Sequence, residues 1–205
     1  MKTYFRALLL VSGLSMLLTG CIGRMKYASY YALNLAPVAD PAPGPDVRTS
    51  VAVREFRAPA YLRQGPIIYR PSPEQIGFYE YHRWAVDPRQ AITNAIVEHL
   101  RASGNFAEVT VYDGRADVDY IFSGQLEKFN EVDNEGSVGV EVSLSAQVTE
   151  LHSGKTIWTN SASDISKVER RTVPAIVAEM SRSTDRAVEK LLNTLTLPQQ
   201  PLGGN

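Results

Sequence analysis

VGVEVSLSAQVTEL, residues 138–151, alternates with unusual regularity. Val138, Val140, Val142, Leu144, Ala146 and Val148 fall on one side of an extended chain. Gly139, Glu141, Ser143, Ser145, Gln147 and Thr149 fall on the other. Successive side chains of a strand point to opposite faces, so this period describes a strand with one face on a core. The other face meets water or a polar partner, which is the habit of antiparallel sheets. Upstream, 117–129 is a second extended run, and Asp133-Asn134-Glu135-Gly136 joins the two as a long antiparallel pair. Downstream, His152-Ser153-Gly154 turns the chain into another strand, 155–163, which carries Trp158.

Working outward, 30–35 reads as a first strand, and the Pro-rich stretch 36–46 cannot continue a sheet. Val47, Thr49, Val51 and Val53 alternate as a second strand ending near Phe56. Two further strands, 66–70 and 75–84, flank a turn at 71–74; the later one is dense in β-favouring aromatics. Asp87-Pro88 opens a helix, with Asp87 as cap, Pro88 at the first helical position and Gln90 at capping-box spacing. Ile92, Ala95, Ile96, His99 and Leu100 recur at helical spacing before Gly104 stops the run. A short strand follows at 106–112. The last helix, about 174–195, presents Ile176, Met180, Thr184, Ala187, Val188, Leu191 and Leu195 on one face. The expected architecture is one α+β domain, an antiparallel-rich sheet with two main helices packed on one face.

The amino terminus sets the address. Lys2 and Arg6 are the only charges in the first twenty residues, and 7–18 is apolar but shorter than the roughly 20 residues that span a bilayer. That is the pattern of a secretory signal peptide, assigned here to 1–20. Leu18-Thr19-Gly20-Cys21 resembles a bacterial lipobox, in which cleavage precedes the cysteine and its sulfur receives a diacylglycerol. Cys21 is the single cysteine of the chain, so it forms no internal disulfide, and lipidation supplies its use. Acyl chains at about 0.8 kcal/mol per buried methylene then hold the protein on a membrane. Residues 21–29 form the lipidated tether, 30–196 the domain and 197–205 a tail expected to fray. The sorting pattern of such lipoproteins, with Ile22 rather than Asp after the cysteine, implies the periplasmic face of the outer membrane. The whole chain has 21 basic and 22 acidic residues, and the leader removes two bases and no acid. Such a balance, with no basic stripe, excludes a nucleic-acid binder.

An ordered set of short motifs then resembles a family. Tyr30-Tyr31-x-Leu33 soon after the lipobox comes first, followed by Val51-x-Val53, Pro59-x-Tyr61-Leu62 and Ile67-x-Tyr69-Arg70. Trp84-Ala85 before the first helix and Ser103-Gly104-x-Phe106 after it complete the series. Together they resemble the ABC-type transport auxiliary lipoproteins, the lipoprotein partners of MCE-type lipid transport systems. One departure is Val86, where many relatives carry an acid directly after the alanine. The resemblance implies a non-enzymatic envelope role beside an ABC ATPase, a permease and an MCE-domain protein. It brings no catalytic residue and no cofactor. A scaffolding or assembly lipoprotein of another envelope complex is the alternative, since fold does not fix function.

Catalytic patterns were weighed against this. His82, His99 and His152 lack the spacing of metal ligands. Ser153-Gly154-Lys155-Thr156 echoes a phosphate loop, but Thr149 stands where its first glycine belongs, so a hairpin turn is expected. Asp117 and Asp119 read as a solvated strand edge. The aromatic set Tyr69, Phe78, Tyr79, Tyr81 and Trp84 is expected to be mostly core. Alternation puts Phe78 on one face and Tyr79 and Tyr81 on the other. Of this set Tyr79, Tyr81 and Trp84 are the candidates for contact with a partner or lipid, should they be exposed together. The small-residue polar face of 138–151 suits packing between identical subunits in a homo-oligomer.

Overall fold

The structure, a computed structural model, describes residues 26–39, 49–134 and 136–196. The expected signal peptide 1–20, Cys21 and the first part of the expected tether, most of the Pro-rich connector and residues 197–205 lie outside the described residues. The strands are β1 (Ser29–Tyr31), β2 (Ser50–Val53), β3 (Pro66–Ser72), β4 (Gln75–Trp84), β5 (Glu108–Val111), β6 (Tyr120–Asn134), β7 (Ser137–Glu150) and β8 (Thr156–Lys167). The helices among the described residues are α1 (Pro88–Ala102) and α2 (Val173–Leu192), and a 3-10 turn occupies Ala60–Arg63.

β6 is the trunk of one eight-stranded sheet. Along one edge it pairs antiparallel with β7 over its whole length, and β7 pairs antiparallel with β8. Its other edge is shared. β2 pairs parallel with Tyr120–Phe122 and carries β5 beyond it. Near the opposite end, Tyr69 and Arg70 of β3 pair parallel with Glu131 and Val132, and β4 and then β1 follow outward. The long antiparallel pairs match the expectation. The four parallel pairings are short and lie on the shared side, reached by long connections, as parallel strands require.

The alternation of β7 is realised. Val138, Val140, Val142, Leu144, Ala146 and Val148 are all buried, while Glu141, Ser143, Ser145 and Gln147 face the uncovered side. α2 lies on the inner face against β7 and β8 and buries Ile176, Met180, Thr184, Ala187, Val188 and Leu191. Each large apolar side chain so enclosed contributes about 1.5–3 kcal/mol, which outweighs the weak propensity of the three helical Ser and Thr residues at 181, 183 and 184. α1 touches α2 and covers β2 and β5 with Ile92, Ile96, Val97 and Leu100.

α1 starts where expected. Asp87 Oδ1 accepts the Arg89 amide at 2.9 Å, and the Arg89 guanidinium folds back onto the same carboxylate at 2.6 Å. Arg89 rather than Gln90 thus completes the cap. Gly104, with φ +65°, lets the chain leave after Ala102. Thr93 pins the segment after β2 by accepting the Phe56 amide at 3.0 Å. Phe56 is fully buried, and its ring fills the space over Gly124, where a Cβ would stand 2.2 Å from Cζ.

Candidate functional site

The aromatic set divides between core and surface. Trp84 is 8 % exposed and packs on Phe129 with ring centroids 5.3 Å apart. Tyr79 also turns inward. Its hydroxyl donates to Glu131 Oε2 at 2.6 Å, and its ring meets Tyr69 and His82 edge-on at 5.2 and 5.6 Å. Gly77 leaves the space that the Tyr69 ring occupies. Burial pushes both the Tyr79 hydroxyl and the Glu131 carboxyl upward, and the Tyr79 hydrogen bond works against burial at Glu131 by favouring its charged form. His82 Nδ1 in turn lies 3.0 Å from the Tyr31 hydroxyl.

Simple alternation does not hold along β4. Pro66 pairs with Arg83 and Ile68 with Phe78, so four β4 residues stand opposite one of β3. Tyr79 and His82 meet within this bulge, and the Tyr81 ring lies beneath Lys26 Nζ at 5.5 Å. The large apolar side chains left at the surface of this edge are Phe78, Tyr30 and Tyr27, at 39, 65 and 79 % exposure.

Sequence reading missed a lattice of charges between β8 and α2. Asp164 is buried with both oxygens engaged: Arg186 donates to Oδ2 at 2.8 Å, with Ser166 and Ser183 at 2.9 and 2.8 Å, and Lys190 donates to Oδ1 at 2.8 Å. Arg186 also reaches Glu179 at 2.8 Å, and Arg182 closes on Glu179 at 2.5 Å. Although burial opposes it, this donor set holds the Asp164 carboxyl well below the usual range, and the Asp164 and Glu179 carboxylates in turn raise Arg186. Both oxygens of Asp164 and both of Glu179 are engaged by cations, so the lattice clamps α2 to the sheet. Its signals were Glu179, Arg182, Arg186 and Lys190 at helical spacing, facing an Asp-x-Ser on a strand.

The remaining ionisable groups are likewise engaged or dispersed. Asp119 ties down β2 by accepting the Ser50 amide and hydroxyl at 2.7 and 2.8 Å, whereas Asp117 is exposed. Burial lowers His99, which faces Asp185 and Glu189 of α2. Ser153–Thr156 includes the turn between β7 and β8, where the Gly154 amide donates to the Glu150 carbonyl at 2.9 Å. Among the described residues, no three His, Cys, Asp or Glu side chains could hold a metal together, and no helix is long and apolar enough to cross a membrane.

Two concavities open at the end of the sheet where β6 turns into β7. One, of about 350 Å³, is lined by Arg70, Ser72, Pro73, Lys128, Val132, Asp133 and Glu141. The other, about 760 Å³, sits at the start of α2 among Lys167, Glu169, Arg170, Thr172, Ala178 and Arg182. Both are open and carry several charged side chains on their lining, so they suit headgroups or protein side chains rather than an enclosed acyl chain.

Comparison with solved structures places this fold beside protein XCC0632 from Xanthomonas campestris. The two are 16 % identical with a TM-score of 0.68, over 80 % of this chain and 92 % of that one. A second, uncharacterized protein superposes with a TM-score of 0.63 at 16 % identity, over 82 % and 97 %. Lipoprotein GNA1162 from Neisseria meningitidis is more distant, at 12 % identity and a TM-score of 0.42 over 71 % and 99 %. No curated protein matches the sequence at a significant level. The model of the family described as the ABC-type transport auxiliary lipoprotein component matches residues 31–191, from β1 almost to the end of α2, and the chain belongs to that family.

Proposed function

We propose that this protein is a non-enzymatic, membrane-anchored lipoprotein that serves an ABC/MCE-type system moving lipid between membranes. The observation that carries the reading is the family match across 31–191. In this reading 1–20 is the signal peptide, 21–29 the tether ending on lipidated Cys21, 30–196 the working domain and 197–205 a tail. The anchor holds the domain at the periplasmic face of the outer membrane, within reach of an MCE-domain protein whose ABC permease and ATPase lie across the envelope. Of Tyr79, Tyr81 and Trp84, Tyr81 is the candidate for direct contact, together with Phe78 and Tyr30. Tyr79 and Trp84 shape that edge from beneath. The polar face of β7 suits a homo-oligomer, because Ser143 and Ser145 let a second backbone approach closely.

Crosslinking in intact cells, with capture of this protein and mass spectrometry of what it carries, tests the reading. Recovery of an MCE-domain protein or its permease is expected. Recovery of a different envelope complex, without any component of such a transporter, overturns it.

A further inference from the structure

We propose that the basic loop between β8 and α2 rests on the membrane and takes the phosphates of anionic lipids, fixing how the domain stands on its anchor. The inference rests on the reading of Cys21 as the anchor.

Topology defines the surface. β6 and β3 run toward one end of the sheet, and β7 and β4 leave from it. β8 finishes there, with Lys167 opposite Gly139, and α2 begins there at Val173. β1 runs parallel to β4, so the chain traced back from Ser29 heads toward this same end. Cys21 lies five residues before Lys26. Those residues reach at most roughly 18 Å when extended. A bilayer holding Cys21 is therefore within reach of the loop's end of the domain.

The loop is tied to the sheet at two points and carries the right charge. Val168 is buried, its amide donating to the Val138 carbonyl at 2.8 Å, and Arg171 is paired with Asp133 at 2.8 Å. These contacts leave Lys167 and Arg170 exposed with no ion-pair partner among the described residues. With Arg182 they rim the 760 Å³ concavity, which has room for a phosphate headgroup. Glu169 and Glu179 are the acids beside it, and Glu179 is already neutralised by Arg182 and Arg186. Lys26, the first described residue, adds a cation at the start of the domain, and no acid occurs from Cys21 to Ala39. Cations near a negatively charged bilayer each gain about 1 kcal/mol, an attraction that fades within a Debye length. Only a short-tethered surface facing the bilayer can collect it.

The test uses the full lipidated chain with Glu169→Cys, labelled with an environment-sensitive thiol dye; Glu169 is exposed, and a lipidated Cys21 cannot take the dye. Nitroxide-headgroup lipid serves as quencher, in vesicles of phosphatidylcholine alone or mixed with phosphatidylglycerol. Quenching in the mixed vesicles is expected to exceed that in phosphatidylcholine by about fivefold. The excess should vanish at high salt and in Lys167→Glu/Arg170→Glu, which keeps the wild-type thermal midpoint. A dye at Ser153→Cys, on the opposite turn, should stay unquenched. Equal quenching in both vesicles, or stronger quenching at position 153, overturns the proposal. Failure of the anchor reading shows separately, as dye uptake by Cys21 in the wild-type chain. In that case charge-dependent flotation with the mixed vesicles still supports the surface, and its absence overturns it.

Discussion

Replacing Asp164 by Asn tests the account of how α2 is fastened to the sheet. The wild-type carboxylate is 8 % exposed and receives Arg186, Lys190, Ser166 and Ser183. Asparagine keeps the size but loses the charge, and its amide nitrogen must face donors. Breaking a buried ion pair typically costs 3–5 kcal/mol, roughly halved here because Arg186 and Lys190 are 39 and 52 % exposed and regain water. The expected loss at pH 7 is about 2 kcal/mol, a shift of about 1 M in the urea midpoint followed by circular dichroism. The loss should depend on pH with a definite sign. The folded-state carboxyl is held well below the ordinary aspartate value of 3.8. Its stabilisation is therefore complete above that value and decays as pH falls toward the folded-state one. The gap between wild type and Asp164→Asn should stay constant from pH 7 to about 5 and narrow below about 4. A gap absent at pH 7, or unchanged at pH 3, refutes the clamp.

Three further substitutions probe other parts of the fold. Gly124→Ala places a Cβ 2.2 Å from the buried Phe56 ring and should cost about 1–3 kcal/mol in urea unfolding; a change near zero would show that the ring is not confined. Tyr79→Phe removes the donor 2.6 Å from buried Glu131 and should cost about 1–3 kcal/mol at pH 7. Since burial already raises Glu131, losing its donor raises it further, and the deficit should shrink as acid protonates it; an equal deficit at pH 5 and pH 8 argues against a buried carboxylate there. Asp87→Ala strips the cap and guanidinium partner from α1 and should lower stability by about 1 kcal/mol, with fraying at 88–91 visible in hydrogen exchange.

Legibility in the sequence followed the strength of local signals. The alternation at 138–151 and the Asp87-Pro88 to Gly104 frame located β7 and α1 within a residue or two, because each satisfies one face or one cap from nearby residues. β6 runs on to Asn134 rather than ending at 129, because Asn130 and Glu131 look like loop residues until Tyr79 and the strand pairing enclose them. β8 runs on to Lys167 for a similar reason: Asp164 is buried only because α2 brings Arg186 and Lys190 to it. β1 is shorter than read, since only Ser29–Tyr31 find partners on β4. The parallel pairings of β2 and β3 on one edge of β6 are long-range choices that no local period encodes. A bulge in β4 likewise leaves no mark in composition, so the Tyr79–His82 contact required the fold.

Anchoring of a folded auxiliary domain through Cys21 underlies the rest, and the mass of the mature protein extracted from cell envelopes tests it most directly. The account predicts a chain beginning at Cys21 that carries the added mass of a diacylglycerol and partitions with membranes, and a Cys21→Ser form that does neither. An envelope-soluble chain whose Cys21 is an unmodified thiol would contradict it.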